Sequence, residues 1–176
     1  MKTGTQRLDV LHKGKHIHFV KRYGWEFAHR PTVTGIVAIV AVTPQKGLLL
    51  VEQFRPPVDA RVIEIPSGLV GDVRGSEREG LLAAAKRELL EETGYQARAW
   101  TRLFAGPPSA GISSEVVTFY RATQLRRTTD GGGDEHEDIT VHEVPLASID
   151  AWLRRKTAKG VLIDPKVYAG LYWAQK

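Results

Sequence analysis

A chain of 176 residues suits one domain with a proper core, and its hydrophobic (42%) and charged (26%) fractions are those of an ordinary soluble protein. Cysteine is absent, which excludes disulfides and thiolate zinc sites and gives no sign of an oxidising compartment. The formal charge of +5 comes from scattered basic residues, with short clusters at Arg126-Arg127 and Arg154-Arg155-Lys156 without aromatic interleaving, so solvated faces are expected and nucleic acid is not.

Met1 to Val10 contains no apolar h-region, and the longest apolar run, Ile36 to Val42, is too short to span a bilayer. A cytoplasmic protein without membrane contact is therefore expected. Residues 7–10 and 17–20 flank Lys13-Gly14-Lys15 and read as an N-terminal hairpin, with Trp25 to His29 as a further short strand. Residues 1–30 are thus expected to form an extension packed on the domain or on a dimer partner, with residues 31–176 as the domain itself. His16 and His18 share one strand face, which reads as a polar face.

The β-branched run Thr34 to Thr43, the turn Pro44-Gln45-Lys46-Gly47 and the run Leu48 to Phe54 predict a long hairpin at the heart of a sheet. Arg61 to Ile65 is another strand, ended by Pro66-Ser67-Gly68. A long helix should begin near Ser76, with Ser76 and Glu79 as a capping box and Gly94 as its left-handed stop. Leu82, Ala85 and Leu89 form its apolar stripe, and Ala83-Ala84-Ala85 would let it lie close to a sheet. Strands near 97–105, 115–123 and 139–144 follow. Leu146 to Lys156 and Asp164 to Ala174 read as closing helices, the second with Asp164 at its cap and Pro165 at its first position. Mixed strands with helices on both faces predict an α/β fold.

The run Arg87-Glu88-Leu89-Leu90-Glu91-Glu92-Thr93-Gly94-Tyr95 places three carboxylates within five residues at a helix end. Like charges one turn apart repel, and acids at a helix C-terminus oppose its dipole, so a hard divalent cation is the natural partner. At about 100° per residue, Glu92 lies about 40° to one side of Glu88 and Glu91 about 60° to the other, so all three can face one pocket. Glu92 is expected to face solvent there. On a continuous helix Glu79 falls about 180° from Glu88, which favours capping over metal contact. Arg87 and Glu91 form an i,i+4 pair, so Arg87 should orient a carboxylate and not touch substrate. The segment Gly131-Gly132-Gly133-Asp134-Glu135-His136-Glu137-Asp138 is either a metal-responsive lid or a solvated acidic turn.

The acidic run resembles the signature of the Nudix hydrolases, an Arg-Glu-x-x-Glu-Glu-x-Gly core preceded by a glutamate and a glycine. Glu79 stands eight positions before Arg87, where the first glutamate belongs, but Val73 occupies the glycine position. Pro66-Ser67-Gly68-Leu69 resembles the usual entry into this box, displaced by five residues. The resemblance implies a Nudix-type α/β/α sandwich with a mixed sheet. It also implies Mg²⁺, or Mn²⁺, held by Glu88, Glu91 and Glu92, with Ser67 lending its backbone carbonyl. Arg87 and Glu92 enter the catalytic set on that basis.

Further stretches resemble the ADP-ribose pyrophosphatase branch of that family. Glu135-His136-Glu137-Asp138-Ile139 matches its Glu-x-Glu-Asp-Ile pattern, which implies Glu135 as general base and Glu137 as metal ligand, or the reverse. Val51-Glu52-Gln53-Phe54-Arg55 looks like its strand ending in Glu-Gln-x-Arg, with Arg55 on substrate phosphate. Ser109-Ala110-Gly111-Ile112-Ser113-Ser114-Glu115 resembles its Ser-Pro-Gly-x-x-x-Glu loop, with alanine in place of proline, which implies Gly111 as a substrate contact and Glu115 as a metal-side or ribose-side contact. Trp25, Phe27 and His29 are candidates for stacking on a base, Trp25 foremost. N-terminal strands in this branch often build a homodimer.

The implied activity is Mg²⁺-dependent hydrolysis of the diphosphate in a nucleoside diphosphate sugar, with ADP-ribose giving AMP and ribose 5-phosphate. Two alternatives stand beside it. One is hydrolysis of GDP-mannose, NADH, a dinucleoside polyphosphate or an oxidised deoxynucleoside triphosphate. The other is a nucleotide sensor without turnover.

Overall fold

The computed structural model describes residues 7–71, 75, 78–133 and 138–176. Its core strands carry apolar residues on both faces, the mark of strands covered on each side. In β4 (Gly35–Ala41), Val37, Ile39 and Ala41 point one way and Ala38 and Val40 the other, and all five are fully buried. The strand β5 (Gly47–Arg55) is buried from Gly47 to Gln53.

These two strands do not form the expected hairpin within one sheet. β4 pairs in parallel with β9 (Val117–Arg127) and antiparallel with β7 (Ser67–Val70), while β5 pairs antiparallel with β6 (Ala60–Glu64) and β10 (Thr140–Pro145). Both edges of each strand are thereby occupied, and only a bridge between Val42 and Leu48 joins them. The connecting turn takes Lys46 into the left-handed region at φ 60°. It is closed by the Thr43 N–H on the Gly47 carbonyl at 2.8 Å and the Gly47 N–H on Thr43 Oγ1 at 3.0 Å.

Two four-stranded sheets result. One has the order β7-β4-β9-β8, with β8 spanning Tyr95–Gly106, and the other β10-β5-β6-β11, with β11 (Leu162–Ile163) parallel to β6. Pro66 is the corner between them. It ends β6 as expected, yet Ser67 then starts β7, which sequence reading did not anticipate; nor did it anticipate β11. The Pro66 carbonyl accepts the Ile39 N–H at 2.8 Å, so the corner stays stitched to β4.

Helix α1 (Leu81–Thr93) lays Ala84, Ala85 and Leu89 against Val37, Ile39, Ala41 and Leu49. It starts later than expected: Gly80 is the N-cap with no side-chain cap bond, Glu79 precedes the helix, and Ser76 lies outside the described residues. Leu82 is exposed and lies outside the buried stripe, whereas Leu81 packs against it. Gly94 ends the helix as predicted, at φ 76° with its N–H on the Leu90 carbonyl at 2.8 Å. On the other side of the sheets, α2 (Ile149–Thr157) and α3 (Pro165–Ala174) cover Ala38, Val40, Leu48, Leu50 and Ile63. Asp164 caps α3 as expected, accepting the Lys166 N–H at 2.6 Å. The outcome is an α/β sandwich of three layers.

The N-terminal segment forms a separate antiparallel sheet of β1 (Asp9–Lys13), β2 (His18–Arg22) and β3 (Trp25–His29), in that order. It joins the rest through Ala28, whose N–H donates to the Ile112 carbonyl at 2.8 Å and whose carbonyl accepts the Ser114 N–H at 3.1 Å. Among the described residues, no helix is long and apolar enough to cross a membrane.

One buried charge fastens α2 and β6 to the sheet. Glu52 accepts from Lys156 Nζ at 2.6 Å, His142 Nε2 at 2.9 Å and Arg61 Nε at 3.1 Å. Burial alone would raise its pKa, but the hydrogen bonds from Lys156, His142 and Arg61 together outweigh burial and hold it at about 2. The folded value lies below the ordinary 4.5, so the stabilisation is complete above pH 4.5 and is lost as pH falls toward 2. Glu52→Gln should cost about 3 kcal/mol at pH 7. Across that acid window, thermal melts of the wild type should decline more steeply than those of the variant; parallel declines would contradict this account.

Candidate active site

The end of α1 is organised by one guanidinium. Arg87 Nη1 donates to Glu88 at 2.7 Å and to Glu91 at 2.9 Å, while Nη2 donates to Glu79 at 3.1 Å and to the Leu69 carbonyl at 3.2 Å. Burial opposes the charge of Arg87, but the surrounding Glu79, Glu88 and Glu91 carboxylates outweigh it and raise its pKa above the ordinary arginine value. The expected Arg87–Glu91 pair is present. Glu79 is not a cap: standing ahead of the helix, it is free of the angular arithmetic of a continuous helix and folds back onto Arg87.

Glu88 and Glu92 reach one pocket of about 410 Å³ together with Ser67, Gly68, Arg55 and Glu115. Glu92 is 2% exposed, not solvent-facing, and accepts the Ser67 N–H at 3.1 Å. Its carboxylate is thus fixed by the first residue of β7. The Glu88 carboxyl lies directly over Gly68, where any β-carbon would overlap it. This close approach explains why the glycine of the displaced Pro66-Ser67-Gly68-Leu69 entry stands where it does. Glu91 does not line the pocket; its side chain is half exposed and engaged by Arg87.

Arg55 arrives from the end of β5 and donates its Nε to Glu64 at 2.7 Å across the β5–β6 hairpin. Glu115 is held by Arg30 Nε at 2.7 Å, which ties the 109–115 loop to the residue after β3. Gly111 and Trp25 line a different groove with Arg22, Phe27 and Ser114. That groove adjoins the acidic pocket through His29, Arg30, Ser114 and Glu115, which line a cleft between the two. Trp25 is 67% exposed at its outer end.

Glu135 and Glu137 lie outside the described residues. The chain leading to them docks on the acidic helix: Gly132 N–H donates to the Glu92 carbonyl at 2.9 Å and Gly133 N–H to the Glu91 carbonyl at 3.0 Å. Gly131 (φ 69°) sits against the Thr93–Gly94 backbone, where a β-carbon would overlap Thr93.

Sequence reading missed Glu64, Arg30 and Lys166 on this pocket wall. Glu64 was recoverable, because pairing β5 with β6 about the Pro56–Ala60 turn puts Glu64 on the strand face of Arg55. Arg30 and Lys166 carried no signal, since tertiary packing alone brings them here.

The donors suit a hard cation. Among the described residues no preformed group of three metal-ligating side chains exists, but Mg²⁺ and its like need only one or two carboxylates beside water and substrate oxygens. Glu88 and Glu92 meet that need, and Arg30, Arg55 and Lys166 balance the acids. Gly68→Ala should displace Glu88 and leave both apolar layers intact. Titration with Mn²⁺ should then show affinity weakened roughly tenfold or more; unchanged affinity would contradict the packing argument.

Comparison with known proteins identifies the family. The NUDIX domain family matches residues 33–164. An ADP-ribose pyrophosphatase of Bacillus subtilis (strain 168) is 38% identical over 113 residues, which are 64% of this chain and 58% of that protein's length. A GDP-mannose pyrophosphatase of Yersinia enterocolitica serotype O:8 / biotype 1B is 30% identical over 149 residues, 80% of this chain and 73% of that one. The crystal structure of an ADP compounds hydrolase aligns with a TM-score of 0.62 at 20% identity, covering 87% of this chain and 86% of its own, a likeness of fold. With the family matched over most of its length and the glutamates of the box gathered on Arg87 and beside Gly68, this chain belongs to the Nudix family.

Proposed function

We propose that this protein hydrolyses the diphosphate linkage of nucleoside diphosphate sugars in a Mg²⁺-dependent reaction, with ADP-ribose giving AMP and ribose 5-phosphate. The observation that carries this reading is a single pocket lined by the Glu88 and Glu92 carboxylates and the Arg55 guanidinium. Glu88 and Glu92 hold the ion, with the Ser67 carbonyl beside them and Mn²⁺ able to replace Mg²⁺. Glu91 joins them on release from Arg87. An ion held by these residues would supply positive charge to the diphosphate and would make the attacking water more acidic.

Arg55, aimed by Glu64, clamps phosphate oxygens, a task suited to the planar fork of a guanidinium. Glu135 accepts the proton of the attacking water and Glu137 adds a ligand; the docking of Gly132 and Gly133 on the helix end supports this, since it starts the acidic segment beside Glu91 and Glu92. Arg87 takes no part in the chemistry except to orient Glu88 and Glu91. The base runs toward Trp25 and Gly111, past Glu115 on the ribose side.

Residues 1–30 serve as a dimer-forming extension in this reading. Support comes from the sheet of β1, β2 and β3, which exposes Val10, Leu11, Ile17 and Phe19. A cysteine-free chain suits the cytoplasm. A second reading, GDP-mannose as substrate, draws on the similarity to a GDP-mannose pyrophosphatase.

Incubation with ADP-ribose, GDP-mannose, NADH and 8-oxo-dGTP in Mg²⁺, followed by product analysis, separates these readings. AMP and ribose 5-phosphate should form from ADP-ribose and vanish with EDTA. Turnover of GDP-mannose alone would move the substrate, and no turnover of any would overturn the enzyme. Glu92→Gln keeps an acceptor for the Ser67 N–H, so it should remove turnover without unfolding. Glu135→Gln should lower kcat roughly 100-fold or more with Mn²⁺ affinity little changed; a fully active variant would remove Glu135 from its role.

A further inference from the structure

The buried Glu64 carboxylate stands between two cations, not one. Arg55 Nε lies 2.7 Å from Glu64 Oε2 and Lys166 Nζ lies 4.0 Å from Glu64 Oε1. Arg55 comes from the end of β5 and Lys166 from the first turn of α3, so two separate elements aim positive charge at one acid on the pocket wall. Glu64 is 5% exposed and is set by the corner at Pro66, which also fixes Ser67 and Gly68 opposite. The cations and the carboxylates of Glu88 and Glu92 therefore meet residues on either side of one bend, Glu64 before it and Ser67 and Gly68 after it.

Lys166 is also built to let go of its present partner. Its ammonium lies 2.5 Å from Asp164 Oδ2, while its backbone N–H independently caps α3 through Asp164 Oδ1. Moving the ammonium toward an anion leaves the cap bond in place. Beside it opens an apolar pocket of about 270 Å³ walled by Phe104, Pro107, Phe119 and Pro165, with Lys166 on the rim common to both pockets. An apolar wall strips water from one side of the ammonium and strengthens its pull on a nearby anion.

We propose that Lys166 is a second phosphate-binding residue, and that Glu64 is the positioning residue that aims both Arg55 and Lys166 at one diphosphate. The proposal rests on the diphosphate reading given above. Two cations from different directions fix the orientation of a diphosphate, which a single guanidinium cannot do. Glu64 keeps their repulsion in check while the pocket is empty of substrate.

The test is calorimetric titration with the non-hydrolysable α,β-methylene analogue of ADP in Mg²⁺, alongside kcat and KM for ADP-ribose. Lys166→Met should weaken the analogue about tenfold and raise KM by a similar factor, with kcat falling far less. Lys166→Arg should restore most of the affinity. Glu64→Gln should weaken binding in the wild-type background and by a smaller, still measurable factor in Lys166→Met, where only Arg55 is left for it to aim. Equal affinity of wild type and Lys166→Met overturns the inference and leaves the diphosphate reading standing. A loss that Lys166→Arg fails to rescue, with a matching drop in Tm, also overturns it and assigns Lys166 to the helix cap. Failure of the analogue to bind the wild type overturns both.

Discussion

The site depends on the contacts of Arg87. Three carboxylates crowded within one turn of a helix C-terminus, with a fourth folded back from the preceding segment, would repel one another and oppose the helix dipole. A guanidinium offers five donors in a rigid fork, enough to hold Glu79, Glu88 and Glu91 and still reach the Leu69 carbonyl of β7. That last bond matters because it sets the helix against the strand that carries Ser67 and Gly68. Glu92 then meets the Ser67 N–H and Glu88 lies over Gly68. Glu88 and Glu92 are thus held in place by the protein itself.

The β5–β6 hairpin shows how one short motif serves two layers. Strand alternation sends Glu52 and Arg55 to opposite faces. On the helix α2 side, Glu52 collects Lys156, His142 and Arg61 and locks the layers together. On the other side, Arg55 meets Glu64 at the pocket. Arg61 also reaches Asp138 at 3.0 Å, so the structural face of the hairpin holds the chain just after the acidic segment, as Gly132 and Gly133 hold it just before.

Much of this was legible in the sequence, and the failures have physical causes. Strand positions, Gly94 as a helix stop, Asp164-Pro165 as a helix start and the Arg87–Glu91 pair are local features, decided by dihedral preference and spacing over a few residues. The β4–β5 pairing was misread because two neighbouring apolar runs joined by a turn look alike whether they pair with each other or each finds other partners; the parallel match of β4 with β9 is a long-range choice. Glu79 was misplaced because helical arithmetic was carried past the true start at Leu81, whereas Leu82 lies at the edge of the apolar face, where spacing does not show how far the sheet reaches. Glu92 was read as exposed because helix periodicity does not reveal what covers a face, and here β7 covers it. Lys166 enters from the last helix and leaves no trace in local pattern.

In the proposed function Glu88 and Glu92, preset by Arg87, Ser67 and Gly68, are the inner ligands of a divalent cation. Anomalous diffraction from crystals of the protein soaked in Mn²⁺ with the α,β-methylene analogue of ADP tests it most directly. A Mn²⁺ peak should appear in contact with carboxylate oxygens of both Glu88 and Glu92 and with the diphosphate, on the pocket wall opposite Arg55. A peak bound elsewhere, or a diphosphate seated in the pocket with no metal at either glutamate, would contradict it.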